Sequence, residues 1–315
     1  MSSLTHAPAR AGQASPAPPR RRRKLRGDDI AKILFVLPAG IAMALLFGYP
    51  VVKNLTMSLQ DYSLQTFFTG EAPWVGLANY VDVVTDPIFG QAMLNTGLFT
   101  AGSILFQFVI GLALALFFKQ HFPLSATLRG LLLLPWLLPL IVSSATWRAI
   151  LEQDSGILNR FLGVFGVEPI GWLVSPSIAL IAVIGVNIWI GIPFNTTLLY
   201  SGLQAIPDEL YEAGSLDGAT HWKAFRYITW PSLRPVVSVV LILGVVYTLK
   251  VLDIILGLTG GGPANATQTL ATQSYQRSFV DFEFGHGAAL SNILIVISMA
   301  FAVVYLRRGR HAADE

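Results

Sequence analysis

The sequence predicts an all-α polytopic membrane protein with six transmembrane helices and both termini in the cytoplasm. Three observations carry that prediction: hydropathy, the length of the apolar runs and the placement of basic residues. Mean hydropathy is +0.59, with 53% hydrophobic and 12% charged residues, whereas in a soluble domain about a quarter of residues are charged. A bilayer core about 30 Å thick needs roughly 20 mostly apolar residues per helix. Six stretches have that length, at about 33–53, 96–118, 128–150, 177–199, 236–257 and 288–306. Helices also satisfy their backbone polar groups internally, as lipid demands.

Orientation follows from charge, because cytoplasmic flanks of membrane helices carry the Lys and Arg excess. Most of the 21 basic residues fall on one side: Arg10, Arg20 to Lys24, Arg26 and Lys32 before the first span, Lys119 and Arg129, then Lys223, Arg226 and Arg234, and finally Arg307, Arg308 and Arg310. From Asn54 to Phe118 there is no Lys or Arg. Residues 1–30 therefore read as a disordered basic cytoplasmic tail beside anionic lipid, 31–306 as the membrane domain and 307–315 as a second tail. The basic pI of about 9.2 is explained by this anchoring and does not call for nucleic acid. Outside the membrane, Gly76 to Tyr80 and Asp86-Pro87 predict short helices near the outer surface, and Gly260-Gly261-Gly262-Pro263 an irregular outer loop.

Several chemistries are excluded. The chain has no cysteine, so disulfides, thiolate metal sites and thiol nucleophiles are absent. No Gly-Lys pair occurs, so there is no phosphate-cradling loop with its lysine. His6, His121, His221, His286 and His311 lack metal spacing. No enzyme activity and no cofactor are expected on this chain.

The loop at 201–235 is longer than a linker needs. Pro207 suits a first helical position, Asp208 and Glu209 favour the positive end of a helix dipole, and Asp217-Gly218 supplies a turn. A second helix follows, with Trp222, Phe225 and Ile228 at three-residue spacing as one apolar stripe, and Pro231 and Pro235 mark entry into the fifth span. Such a helix–turn–helix is either a docking surface or a pair of helices lying flat on lipid.

Glu212, Ala213, Gly218, Ile228 and Pro231 fall at the spacing of a known signature: Glu-Ala-Ala, three residues, Gly, nine residues, Ile, one residue, Leu-Pro. On this basis the chain resembles the permeases of binding-protein-dependent ABC importers. Gly214 replaces the second Ala and Trp230 the Leu. Gly76-Leu77 with Asn79-Tyr80, Asn95-Thr96, Leu258 to Pro263 leading to Thr267, and Phe284-Gly285 with Ala288, Ala289 and Ser291 are similar to the maltose-type sugar permeases, of the first-permease subtype.

The resemblance implies the type I importer fold in the bacterial inner membrane. It further implies a second permease as heterodimer partner, two ABC ATPase subunits that bind ATP and Mg, and an extracytoplasmic solute-binding protein that delivers a sugar. A coupling helix at about Pro207 to Ser215 would sit in a cleft of the ATPase. Glu212 would be its polar contact, Ala213 and Gly214 would allow close approach, and Asp217 and Gly218 would set the turn. Closure of the ATPases would then switch the pore between two states.

Polar residues inside spans are candidates for the solute path. Lys250 and Asp253, three residues apart on one expected helical face, either pair or line the path; Gln107, Asn187 and Asn195 are similar. Trp189 and Tyr247 offer aromatic faces for a sugar, Trp136 is read equally as helix packing, and Trp147 and Trp172 as members of the interfacial belt. The rival readings are the same permease with a glycerophosphodiester, polyamine or peptide cargo, and a self-sufficient channel or carrier, which would leave the loop signature unexplained.

Overall fold

The computed structural model describes residues 27–120 and 122–311, so the basic run from Arg10 to Arg26 and most of the expected tail at 1–30 lie outside the described residues. Residues up to Val51 and residues from Val52 onward form two units. In the first, α1 (Gly27–Met43) passes into a π-helical turn at Ala44–Gly48 and then into α2 (Tyr49–Ser58), which crosses the unit boundary. Its side chains from Leu34 to Val52 are exposed and almost wholly apolar.

The second unit is built from α3 (Leu64–Thr69), α4 (Ala78–Thr85), α5 (Pro87–Lys119), α6 (Ser125–Leu132), α7 (Leu134–Leu137), α8 (Leu140–Ile150), α9 (Ile157–Gly163) and α10 (Ala179–Gln204). There follow α11 (Asp208–Leu216), α12 (His221–Ala224), a π-helical turn at Phe225–Thr229, α13 (Trp230–Leu249), α14 (Asp253–Leu258), α15 (Leu270–Tyr275), a third π turn at Gln276–Val280 and α16 (Phe284–His311). Among the described residues, five helical stretches are long and apolar enough to cross a membrane: Leu34–Ser58, Pro87–Lys119, Ala179–Gln204, His221–Leu249 and Phe284–Tyr305.

The sixth candidate span is a bent pair of helices. The expected single helix at 128–150 is broken between Leu137 and Leu140, and the two arms meet at 95°. Leu138 and Pro139 are extended, with ψ of 139° and 133°, as a residue before proline and a proline without an N–H to donate prefer. The expected fifth span at 236–257 is likewise two pieces. Its helix begins at His221, continuous with the loop helix, and stops at Leu249. Lys250 to Leu252 are non-helical, and α14 starts afresh at Asp253. Lys250 and Asp253 therefore do not share one helical face.

Pro231 does not end the helix because a π turn precedes it. The carbonyl at position 227, which a proline at 231 cannot engage, lies inside that turn. Pro50 repeats the arrangement, with position 46 inside the turn at Ala44–Gly48.

The second unit buries apolar clusters, as a soluble domain does, but adds buried amides and an apolar exterior. Large apolar side chains such as Phe106, Val109, Val239 and Val296 are exposed, while Asn79, Asn95, Ser103, Gln107, Asn187 and Asn195 are buried. α5 and α10 run in the same direction and meet closely at glycine. A Cβ on Gly111 would lie 2.8 Å from that of Asn195, and one on Gly191 would overlap the Gln107 carboxamide, as expected where small residues let membrane helices approach. α13 packs antiparallel to both, with Leu233 and Val236 against Gly202 and Gly244 near Ile104.

At the end of the bundle where α5 begins, side-chain amides hold the irregular segments. Asn79 Nδ2 donates to the Ser58 and Gln60 carbonyls at 2.9 and 2.8 Å. Asn95 Nδ2 reaches the carbonyls of Asn265, Ala266 and Gln268 at 3.3, 3.2 and 2.9 Å, and Thr96 Oγ1 accepts from the Leu270 N–H at 2.9 Å. Thr267 Oγ1 closes the Gly-rich loop onto the Gly262 carbonyl at 2.7 Å. Asn95→Leu strips these carbonyls of their donor at about 1–2 kcal/mol. A lowered melting temperature of the detergent-solubilised protein is expected, and a melting curve identical to wild type would refute the role assigned to Asn95.

Candidate functional site

Two sites emerge, one just beyond the C-terminal end of α10 and one along its middle. The first is the surface helix α11. It starts after Pro207, whose φ of −58° and ψ of 137° make it the cap and not the first helical residue. Asp208 and Glu209 occupy the first turn, where carboxylates complement the helix dipole.

The helix ends in a Schellman motif: Ala219 N–H donates to the Gly214 carbonyl at 2.8 Å and Gly218 N–H to the Ser215 carbonyl at 3.1 Å. Gly218 has φ +75°, the left-handed conformation that this motif needs and that a side chain disfavours. Nothing lies within 4 Å of a Cβ built there, so glycine is required by backbone conformation alone. At Gly214 the reason differs, because an added Cβ would sit 2.8 Å from Ile228 Cδ1. Gly214 and Ile228, two signature positions, are thus in contact.

The helix is fastened on one side only. Tyr211 packs into the cluster of Leu203, Ile206, Ile228, Trp230 and Leu233, bonds Thr229 Oγ1 at 3.0 Å, and carries Lys119 Nζ 3.8 Å above its ring. Glu212 and Ala213 are exposed, as are Leu210 at 46% and Leu216 at 89%. The expected stripe is divided: Ile228 packs half-buried against the core, while Trp222 is exposed and stacks on Phe225 at 5.7 Å.

The second site is a cavity of about 650 Å³ between α5, α10, the bend at Leu138 and the break after α13. Gln107, Asn187, Asn195, Tyr247, Lys250 and Asp253 all line it. Gln107 Nε2 donates to the Asn187 carbonyl at 2.9 Å, and Asn195 Nδ2 to the Gly191 carbonyl at 2.9 Å. Asn187 is 6% exposed, and its Nδ2 has no partner, so it keeps unused hydrogen-bonding capacity.

One wall is aromatic: Trp136 lies 5.8 Å from Phe194 and Phe194 6.0 Å from Tyr247. Lys250 Nζ sits 4.8 Å from the Tyr247 ring centroid, and no ion pair joins it to Asp253 among the described residues. Trp189 is placed elsewhere, against Trp147 at 5.4 Å in the core cluster that also receives Trp172. Trp147 and Trp172 pack half-buried against that cluster, and Trp172 Nε1 donates to buried Asn159 at 2.8 Å. The cavity adds Phe194, which sequence reasoning passed over. Its signal was there, since 187, 191 and 194 follow the spacing of one helix face.

No group of three or more potential metal ligands occurs among the described residues. Residues 107–309 match the family model described as "Binding-protein-dependent transport system inner membrane component". The chain belongs to that family of ABC importer permeases. It is similar to the trehalose/maltose transport system permease protein MalF of Thermococcus litoralis, 36% identical over 281 residues that cover 89% of this chain and 94% of that protein. It is also similar to the sulfoquinovosyl glycerol transport system permease protein SmoG of Agrobacterium fabrum, 34% identical over 89% of this chain and 91% of that one. A bacterial alginate ABC transporter, solved with an alginate pentasaccharide-bound periplasmic protein, superposes with a TM-score of 0.79 at 20% identity, covering 90% and 96% of the two chains.

The permease is thus a multi-pass inner-membrane subunit of an ABC importer. It does not itself hydrolyse ATP; the ATPase subunits bind it, and a periplasmic binding protein completes the complex. Gly218→Ala should loosen the end of α11 by about 1 kcal/mol. Amide hydrogen exchange at Gly218 and Ala219 should accelerate about fivefold in consequence; unchanged exchange would contradict the assignment of the turn.

Proposed function

We propose that this permease carries a sugar, that it does so paired with a second permease, and that α11 couples it to the ATPases. The observation that carries the cargo reading is the cavity at the break after α13, where buried amides and an aromatic wall converge. Sugars are bound by hydrogen bonds from planar polar groups and by stacking on aromatic faces, and both are within one 650 Å³ space. Lys250 and Asp253 bring opposite charges to it, which favours a neutral solute over a polyamine or a phosphodiester. The trehalose/maltose and sulfoquinovosyl glycerol systems of its relatives support a carbohydrate.

The geometry supports a partner permease. The cavity is open on one side, with Tyr247 and Trp136 each 52% exposed, so one chain does not enclose a path. α11 lies on the side of Lys119, Arg129, Lys223 and Arg226, which the basic-residue rule assigns to the cytoplasm. Its exposed edge of Leu210, Glu212, Ala213 and Leu216 is the face offered to an ATPase cleft, and its Tyr211 anchor transmits a push to the ends of α5, α10 and α13. Asp217 and Gly218 fix where that edge ends.

Gly218→Asp should abolish ATP-dependent uptake in proteoliposomes of the full complex while the protein still inserts and assembles. Normal uptake by that variant would dismiss the coupling role. Tyr247→Ala should raise the sugar concentration for half-maximal uptake about tenfold, by loss of a stacking platform, and leave basal ATP hydrolysis unchanged. An unaltered uptake curve would remove the cavity from the path.

A further inference from the structure

The geometry points to a second solute site, at the opposite end of the bundle from α11, in which the Gln273 carboxamide receives a neutral polyhydroxyl ligand. It rests on the sugar reading above and adds a place where the solute waits outside the inner cavity. The site is a cavity of about 520 Å³ between the Gly-rich loop, the start of α5 and the π turn after α15, within the range of small-molecule sites. Its decisive feature is Gln273, 3% exposed and lining the cavity, whose Oε1 has no hydrogen-bond partner. A buried carboxamide without partners is costly. It offers one acceptor and a donor pair side by side, which a vicinal diol satisfies in both senses.

The walls are preformed. Gly260, Gly261, Ala264 and Asn265 are left-handed, with φ of 64°, 92°, 46° and 62°, and a Cβ on Gly261 would overlap the buried Gln268 carboxamide. The loop is fixed from behind by the bonds of Asn95 and Thr267, so the cavity does not depend on ligand for its shape.

Charge decides the ligand class. The cation on the rim, Arg277, is paired with Asp86, with Glu283 at 2.8 Å and with Asp281 at 4.0 Å. Burial opposes its charge, but the Asp86 hydrogen bond and the charges of Glu283 and Asp86 outweigh that and hold it protonated. One guanidinium among three carboxylates leaves nothing to attract an anion. The remaining polar side chains of the lining are the amides of Asn265, Gln268, Gln273 and Gln276, with Thr259 and the Asp281 carboxylate, which Arg277 and Gln276 already engage. A protein loop is a poorer fit, because the wall is glycine backbone and amides with neither a strand edge nor an apolar pocket. No aromatic ring lines it, so binding is by hydrogen bonds alone and weak, which suits a transient stop.

The test is saturation-transfer NMR with maltose and trehalose on the assembled complex in nanodiscs, without binding protein. In a Tyr247→Ala background, which weakens the inner cavity about tenfold, and with sugar kept well below that raised half-saturation, sugar signal should persist, and adding Gln273→Met, close in shape, should weaken it about tenfold. Loss of all signal on Tyr247→Ala alone would overturn the outer site and leave the sugar reading intact. No signal for either sugar in the wild-type complex would overturn both. Should Gln273→Met fail to assemble, the cysteine-free chain allows a single nitroxide at Val280→Cys, exposed beside the cavity and not lining it. Broadening of bound sugar by that label, and not by one at Leu210→Cys, is expected in the Tyr247→Ala background; equal broadening from both would refute the site.

Discussion

Everything irregular in this chain is governed by one constraint: a backbone carbonyl or N–H at membrane depth must find its partner inside the protein. The permease departs from helical geometry at the bend before Pro139, at the break after Leu249 and through the Gly-rich loop. Near those departures and along the packed helices, buried side-chain amides and hydroxyls meet main-chain groups: Asn79, Asn95, Thr96, Gln107 and Asn195. This is why so many amides and hydroxyls are buried beside the apolar clusters while large apolar side chains cover the outside.

The same constraint makes the unpartnered groups informative. With most buried amides engaged, the free Nδ2 of Asn187 and free Oε1 of Gln273 stand out, and each faces a cavity. The two cavities differ in the way the environment would favour. The inner one has an aromatic wall and opposed charges, while the outer one has amides, Thr259 and Asp281 beside a saturated guanidinium and no ring. At the other end, α11 couples rigidity to exposure. A Schellman turn and the Tyr211 anchor fix its position while its Leu210, Glu212 and Leu216 edge stays free.

Much of this was legible in one dimension. Asn79, Asn95, Gly260 to Gly262 and Thr267 stood out as motif residues before their bonds were visible, and the structure gives each a mechanical reason. Lys250 and Asp253 were misplaced on one helix, because an apolar run through Val251 and Leu252 carries no sign that the helix stops at Leu249. Trp189 was an attractive aromatic at membrane depth, yet one helix has several faces, and its own points toward Trp147.

The sequence by itself determined the class, the approximate positions of the apolar stretches and the loop helix α11, because hydropathy, basic-residue bias and the requirement for Gly218 are local properties of neighbouring residues. Only the tertiary structure decided which polar groups meet. The direction of a side chain around a helix and the partner it finds across 80 or 170 positions, as for Gln107 and Asn95, depend on how helices pack, and packing in lipid is set by close approach at residues such as Gly111 and Gly191, not by hydropathy.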